Sequence, residues 1–412
     1  MPDIPVGTQI FDLIFHPTDS IVFTGLLTGH VKAFGYDEQG NHDSKFAVRP
    51  SKRSCRALAI SDDGSRLWAA GKAKSLYEHH IQCPRVSHDA RSHIHWSASA
   101  AINRVKHLTT NLLSSGDDDG VIKLWDPRKP DAIKAYNHHF DFISDFLWLS
   151  DWKQLVSTSG DGTLSVIDVR AKKTEPLAQS EDQEDELLSI VPIKGGQKFA
   201  VGTQLGILSI FNRRNGWGDC VDRIPGHPHS IDTLCNIPSS YPSSHSTILT
   251  GSSDGILRAV QLFPTKLLGV VADHGEFPIE CVAVDRGGEG RWVGSAGHEE
   301  VLKLTDLKEV FEDEDGKEDE DEDGKDGTEG EDDEGEAEDT DTAEPAMEDA
   351  SQEEAEEPHE EGEDAAEESS EDDVEPEEKK RKRKQDKDPL QLVKRKKGRN
   401  EIDAERSFFA DL

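Results

Sequence analysis

The amino-acid sequence predicts an all-β fold: a seven-bladed β-propeller over residues 1–311, followed by a disordered C-terminal tail that is first acidic and then basic. Three observations carry this reading. A short segment built on an Asp-Gly turn recurs seven times at intervals of 42 to 49 residues. Each copy sits in the same order of alternating apolar runs and turns. Most of the charge imbalance falls after residue 311.

The clearest copy is Asp119-Gly120-Val121-Ile122-Lys123-Leu124-Trp125-Asp126, with close relatives starting at Asp161 and Asp254. Weaker copies are TGHVKAFG, AKSLYEHH, LGILSIFN and EEVLKLTD. The second residue of each copy falls at 29, 74, 120, 162, 206, 255 and 300. A period of ~40–45 residues is that of a four-stranded propeller blade. Within each unit an alternating run comes first (FDLIF, CRALAI, INRVKHL, ISDFLWL, LLSIVPI, IDTLCNI, IECVAV), and then a small-residue strand such as LLSSG or LVSTSG. Period-two alternation bounded by Gly, Asp and Ser turns is the signature of strands. An open ring would leave unpaired edge strands, and after Asp306 little apolar chain remains. Asp3–Gln9 is therefore expected to supply the outer strand of blade 7.

These residues resemble the WD-repeat superfamily and imply a seven-bladed WD40-type propeller. In that superfamily a His before the first strand, a Ser/Thr, the turn Asp and a third-strand Trp form a hydrogen-bonded network. The resemblance pairs His139 with Asp161, His227 with Asp254 and His274 with Glu299, and sets His95 beside Asp119 and Trp125. A buried His needs a partner for its ring N–H, which the turn acid can supply. Only Trp125 occupies the motif's Trp position; Phe34, Tyr77 (one residue early) and Phe211 stand as substitutes, so blades 1, 2, 5 and 7 are degenerate.

The tail divides in three. Residues 312–378 hold 39 Asp/Glu against Lys317 and Lys325 and no aromatic residue, so self-repulsion opposes compaction. This tract reads as a spacer or as a polyanion for basic proteins such as histones or ribosomal proteins. Ser351, Ser369 and Ser370, each followed by an acid three residues on, suit an acid-directed kinase. In 379–399, Lys379, Lys380, Arg381, Lys382, Arg383 and Lys384 precede Lys394, Arg395, Lys396 and Lys397 by nine residues. Such spacing is that of a bipartite nuclear localisation signal read by an import receptor, and equally of an arm contacting rRNA phosphates. Residues 400–412 end in Ser407-Phe408-Phe409-Ala410-Asp411-Leu412, a candidate docking motif.

A propeller with this order of tail segments and this terminus resembles the Jip-type nucleolar WD-repeat family, the relatives of WD-repeat-containing protein fifty-five. The resemblance implies a non-catalytic scaffold in the nucleus and nucleolus. It would be needed for ribosome biogenesis, through rRNA production or large-subunit assembly, with proteins of a pre-ribosomal assembly as partners.

No catalytic, cofactor or metal site is expected. The GDDDG at 116–120 starts like a calcium loop, but Arg128 stands where the twelfth-position Glu is needed. The histidines lack a third ligand at useful spacing. Gly287-Gly288-Glu289-Gly290 lacks the Lys-Ser/Thr of a phosphate loop and reads as a hairpin. Five cysteines without a CxxC pair read as buried apolar residues of a reduced, intracellular protein. No signal peptide or membrane span is expected. Two alternatives remain open. Arg128 and Arg170, in WDPR and IDVR, resemble the paired DxR boxes that contact the adaptor in substrate receptors of cullin-4 ubiquitin ligases; a histone- or chromatin-binding propeller is the other.

Overall fold

The computed structural model describes residues 2–81 and 93–312, the side chains of 93–95 and 312 excepted. The acidic tract beyond Glu312, all ten basic residues of the two clusters, the C-terminal motif, Cys83, and the side chains of His93 and His95 lie outside the described residues. Seven antiparallel sheets of four strands each form a ring. The innermost strands are Ile10–Phe15, Cys55–Ile60, Ile102–Thr109, Ile143–Leu149, Leu187–Ile193, Ile231–Asn236 and Ile279–Val284. They coincide with the seven alternating runs of the sequence. As expected, Asp3–Pro5 pairs with Val301–Asp306 and completes blade 7, with Ile4 fully buried.

Among the described residues there is no single core. Buried apolar side chains fall into seven clusters, each between neighbouring blades. The one joining blades 7 and 1 gathers Ile4, Val6, Phe15, Phe34, Trp292 and Leu302, and the Tyr36 hydroxyl donates to Asp285 Oδ2 at 3.0 Å across it. Every innermost strand carries a register shift near its start, as between Ile10 and Asp12 or Ile143 and Asp145. Such a bulge bends and twists the strand locally. The turn between second and third strands takes glycine for a steric reason. At Gly255, φ is 81° and a Cβ would lie 2.2 Å from the Gly275 carbonyl oxygen of the loop between blades. Blade 2 places Lys74 there instead, at φ 60°.

Sheet register corrects one reading. Leu113 faces Trp125 in blade 3, and the equivalent Leu67 faces His79 in blade 2. His79, rather than Tyr77, therefore occupies the Trp position. Trp125 Nε1 donates to Ser115 Oγ at 2.8 Å, whereas both buried ring nitrogens of His79 lack a partner among the described residues. Burial lowers the His79 pKa to about 4. A histidine held neutral in the folded state costs stability as pH falls from its unfolded value near 6.5 toward 4, here up to about 3 kcal/mol. His138 and His227, also lowered to about 4 by burial, act in the same direction. Asp12 acts in the opposite one, raised to about 6 by burial against the charge of Arg104, and so does Asp232, also raised to about 6 by burial. Melting temperature is expected to fall between pH 7 and pH 5, and His79→Leu to reduce that fall and raise stability at pH 7. Thermal melts at both values check this; an unchanged pH dependence would remove His79 from the account.

Candidate binding faces

The turns between second and third strands and the loops joining blades lie at one end of the ring, here the turn face. Its backbone contacts are direct: a Cβ on Gly120 would meet the carbonyl oxygens of His139 and Asp141, and one on Gly206 those of His227 and His229. Hydrogen-bonded side chains tie these loops to the blades. His139 Nδ1 lies 3.0 Å from Asp161 Oδ2, and its Nε2 lies 2.8 Å from Ser165 Oγ. Asp161 also accepts from the amides of Phe140 and Thr163 and from the Thr163 hydroxyl. Burial acts to raise the Asp161 pKa, but these bonds outweigh it and hold the carboxyl well below the usual range. In blade 7, His274 Nδ1 lies 2.9 Å from Glu299 Oε2 and Nε2 lies 2.8 Å from Ser295 Oγ.

Two expected arrangements differ. His227 Nε2 bonds Thr250 Oγ1 at 2.8 Å, while its Nδ1 has no partner among the described residues and Asp254 instead takes both ends of the Arg258 guanidinium. The reason is positional: Arg258 stands where blade 4 has Ser165, and a cation four residues beyond the turn acid captures it. In blade 3, Asp119 is exposed, and the buried Asp117 carboxylate accepts the amides of Asp119 and Val121 to make the turn. Trp125 is anchored by Ser115.

Across blades 3 to 7 the turn-face loops are 98–101, 118–121, 137–142, 160–163, 180–186, 204–206, 226–230, 253–255, 274–278 and 298–300. Together they hold thirteen carboxylates and no lysine or arginine. Asp118, Asp161, Asp254 and Glu299 are paired. Asp119, Asp141, Glu181, Asp182, Glu184, Glu186, Glu276 and Glu300 are exposed, with no ion pair among the described residues. Among these acids project Phe140, Leu205 and Phe277, at 91%, 67% and 49% exposure. At the channel mouth, a cavity of about 330 Å³ is lined by Phe11, Arg56, Asp118, Phe142, Asp232 and Glu280. Burial pushes Asp232 up to about 6, with Glu280 adding to it and Ser230 opposing.

Within the channel, Asp12 Oδ2 accepts the Leu58 amide at 2.7 Å and Asp145 Oδ2 the Ile190 amide at 3.1 Å, so each carboxylate staples its blade to the next. Arg104 lies between their fields and donates from Nε to the Ser144 carbonyl at 2.6 Å. These three were missed in the sequence. Their signal was a charged third residue in the first strand of the blade. On the opposite face, Arg128 and Arg170 each fold back in a bidentate pair with Asp126 and Asp168, their side chains 67% and 64% exposed. Among the described residues, no group of three or more His, Cys, Asp or Glu is placed to hold a metal ion, and no helix is long and apolar enough to cross a membrane.

Residues 1–310 match the family model described as WDR55. A WD repeat-containing protein JIP5 of Coprinopsis cinerea is 62% identical over 322 residues, spanning 78% of this chain and 77% of its own. A JIP5 protein of Laccaria bicolor is 56% identical and spans 100% of both chains. The Arabidopsis thaliana WD repeat-containing protein 55 is 35% identical over 315 residues, 75% of this chain and 84% of its own. The likeness thus covers every blade, from the closing strand to the last Asp306 turn, and the chain belongs to the WD repeat-containing protein 55 family.

Proposed function

We propose that this propeller is a non-catalytic scaffold that holds basic protein segments on its turn face and serves ribosome biogenesis in the nucleolus. One observation carries the reading: on the turn face of blades 3 to 7, thirteen carboxylates without a lysine or arginine, among which Phe140, Leu205 and Phe277 are exposed, while the loops of blades 1 and 2 carry Arg49, Lys52, Arg53, Lys72 and Lys74. Complementary charge steers and orients a partner, while a few exposed aromatic anchors supply most of the binding energy. Basic segments are what ribosomal and pre-ribosomal proteins offer in abundance. The basic clusters at Lys379–Lys384 and Lys394–Lys397 supply import, and the acidic tract adds a second, weaker hold on the same partners.

The test uses the tagged full chain in cells and in pull-downs. Phe140→Ala with Phe277→Ala is expected to reduce co-purification of basic assembly proteins about tenfold while leaving nuclear import intact, the loss of roughly 1.4 kcal/mol. Changing the ten basic residues to Ala is expected to exclude the chain from the nucleus with the propeller still folded. A double Phe variant that recovers its partners at the original yield would overturn the turn-face reading. A cluster variant that still concentrates in the nucleolus would overturn the import role.

A further inference from the structure

In blades 4 and 5 the face opposite the turns has the reverse character. It is formed by the loops between first and second strands and between third and fourth strands, which meet through bonds such as Val169 N to the Lys153 carbonyl. In blades 4 and 5 these loops (150–153, 169–177, 194–198, 213–219) hold eight lysines and arginines against three acids. Arg170 is taken by Asp168, and Lys173 lies 4.0 Å from Glu175. Lys153, Lys172, Lys194, Lys198, Arg213 and Arg214 have no ion pair among the described residues.

Two of these cation groups are arranged on aromatic rings. Arg213 Cζ lies 3.4 Å from the centroid of Trp152, which stands 52% exposed in a loop of blade 4. Lys198 Nζ and Lys194 Nζ lie 4.3 and 5.4 Å from the centroid of Phe263 in blade 6. Lys198 pairs with Asn212 in the sheet of blade 5, so Arg213 follows directly beside it. The two stacks therefore belong to one strip running from blade 4 across blade 5 to blade 6.

We propose that this strip is a binding surface for a single-stranded polynucleotide, independent of the protein-binding reading above. Phosphates need cations that no carboxylate has already neutralised, and six are present. Bases need flat apolar platforms, and the guanidinium–indole stack at Trp152 is one, half open to solvent. Grooves that bind single strands combine these two features, a cationic track and rings on which bases stack. An acidic peptide satisfies the charge but has no planar groups to use the platforms, and a basic peptide is repelled. Duplex nucleic acid, with its bases stacked internally, would engage the cations alone.

The experiment is binding of a fluorescein-labelled uridine dodecamer RNA to the purified full chain, with ultraviolet crosslinking to map the contacts. Crosslinks are expected on peptides containing Trp152 or Phe263. Trp152→Ala is expected to weaken binding about tenfold, and Lys194→Gln with Lys198→Gln to lessen the slope of log affinity against log salt by about 1.4, two phosphate contacts on a single strand. All three positions lie at the surface, so unchanged melting temperatures identify folded variants, and the lysine pair serves if the Trp variant is unstable. Phe140→Ala with Phe277→Ala is expected to bind the RNA as the parent does, which separates this surface from the turn face. Crosslinks confined to residues 379–399 with variant affinities within twofold of the parent would overturn the proposal. So would a poly-glutamate peptide that binds the strip as tightly as the RNA does and loses that binding in Trp152→Ala, which would assign the surface to acidic polypeptides.

Discussion

Deleting residues 2–6 is expected to destabilise the propeller by at least about 5 kcal/mol and to make it prone to association. The segment is short, but it removes Ile4 and Val6 from the cluster between blades 7 and 1. It also removes the strand bonds to Val301–Lys303 and the Val6 amide that reaches the Glu300 carbonyl in the same stretch. Full burial of two such side chains is worth roughly 1.5–3 kcal/mol each, and the uncovered edge of Val301–Asp306 then offers its backbone groups to any passing strand. Thermal melts and sedimentation of the full chain with and without the segment measure both effects. A truncated chain that melts with the parent and stays monodisperse would show that the strand contributes nothing to closure.

Asp161→Ala carries the second large effect, an expected loss of about 3 kcal/mol. Removing this carboxylate takes one partner from His139 Nδ1, from the Phe140 and Thr163 amides and from the Thr163 hydroxyl at once, leaving Thr163 Oγ1 and Ser165 Oγ on the His139 ring, and a buried group left unpaired costs about 1–3 kcal/mol before the site relaxes. The exposed Asp119→Ala, at the same repeat position, is expected to change stability by less than about 0.5 kcal/mol. A double-mutant cycle sharpens the comparison. His139 and Asp161 are expected to couple by about 1–2 kcal/mol and His227 and Asp254 hardly at all, because Arg258 holds the second acid. Equal coupling in the two blades would contradict the hydrogen bonding described here.

These contrasts show where the sequence was legible. Blade number, first strands and closure could be read because they rest on periodicity and on a turn that only a few residue types can make. The fate of each turn acid could not, because it depends on a competitor. Asp161 and Asp254 look alike until the residue four positions on is considered, Ser165 in one blade and Arg258 in the other. Among Asp117, Asp118 and Asp119 the sequence favoured the acid next to Gly120, while the fold buries the first of the three. His79 was passed over for Tyr77 because an aromatic ring was sought, whereas register alone fixes which side chain fills the slot. The two charged faces were invisible for a different reason. Their loops are short and scattered over two hundred residues, each ordinary by itself, and only the ring sets them side by side.

The pairing of Asp3–Pro5 with Val301–Asp306 also sets a timetable for synthesis. Asp3–Pro5 waits for a partner made roughly 300 residues later, which at about 5–20 residues per second means some 15–60 seconds. Blades can form in order behind the ribosome, since each mostly contacts its neighbours, but throughout that interval the growing arc has two open ends. Contacts between residues so far apart in the chain are the slowest to form. The nascent propeller is therefore most exposed to wrong strand partners just before blade 7 emerges.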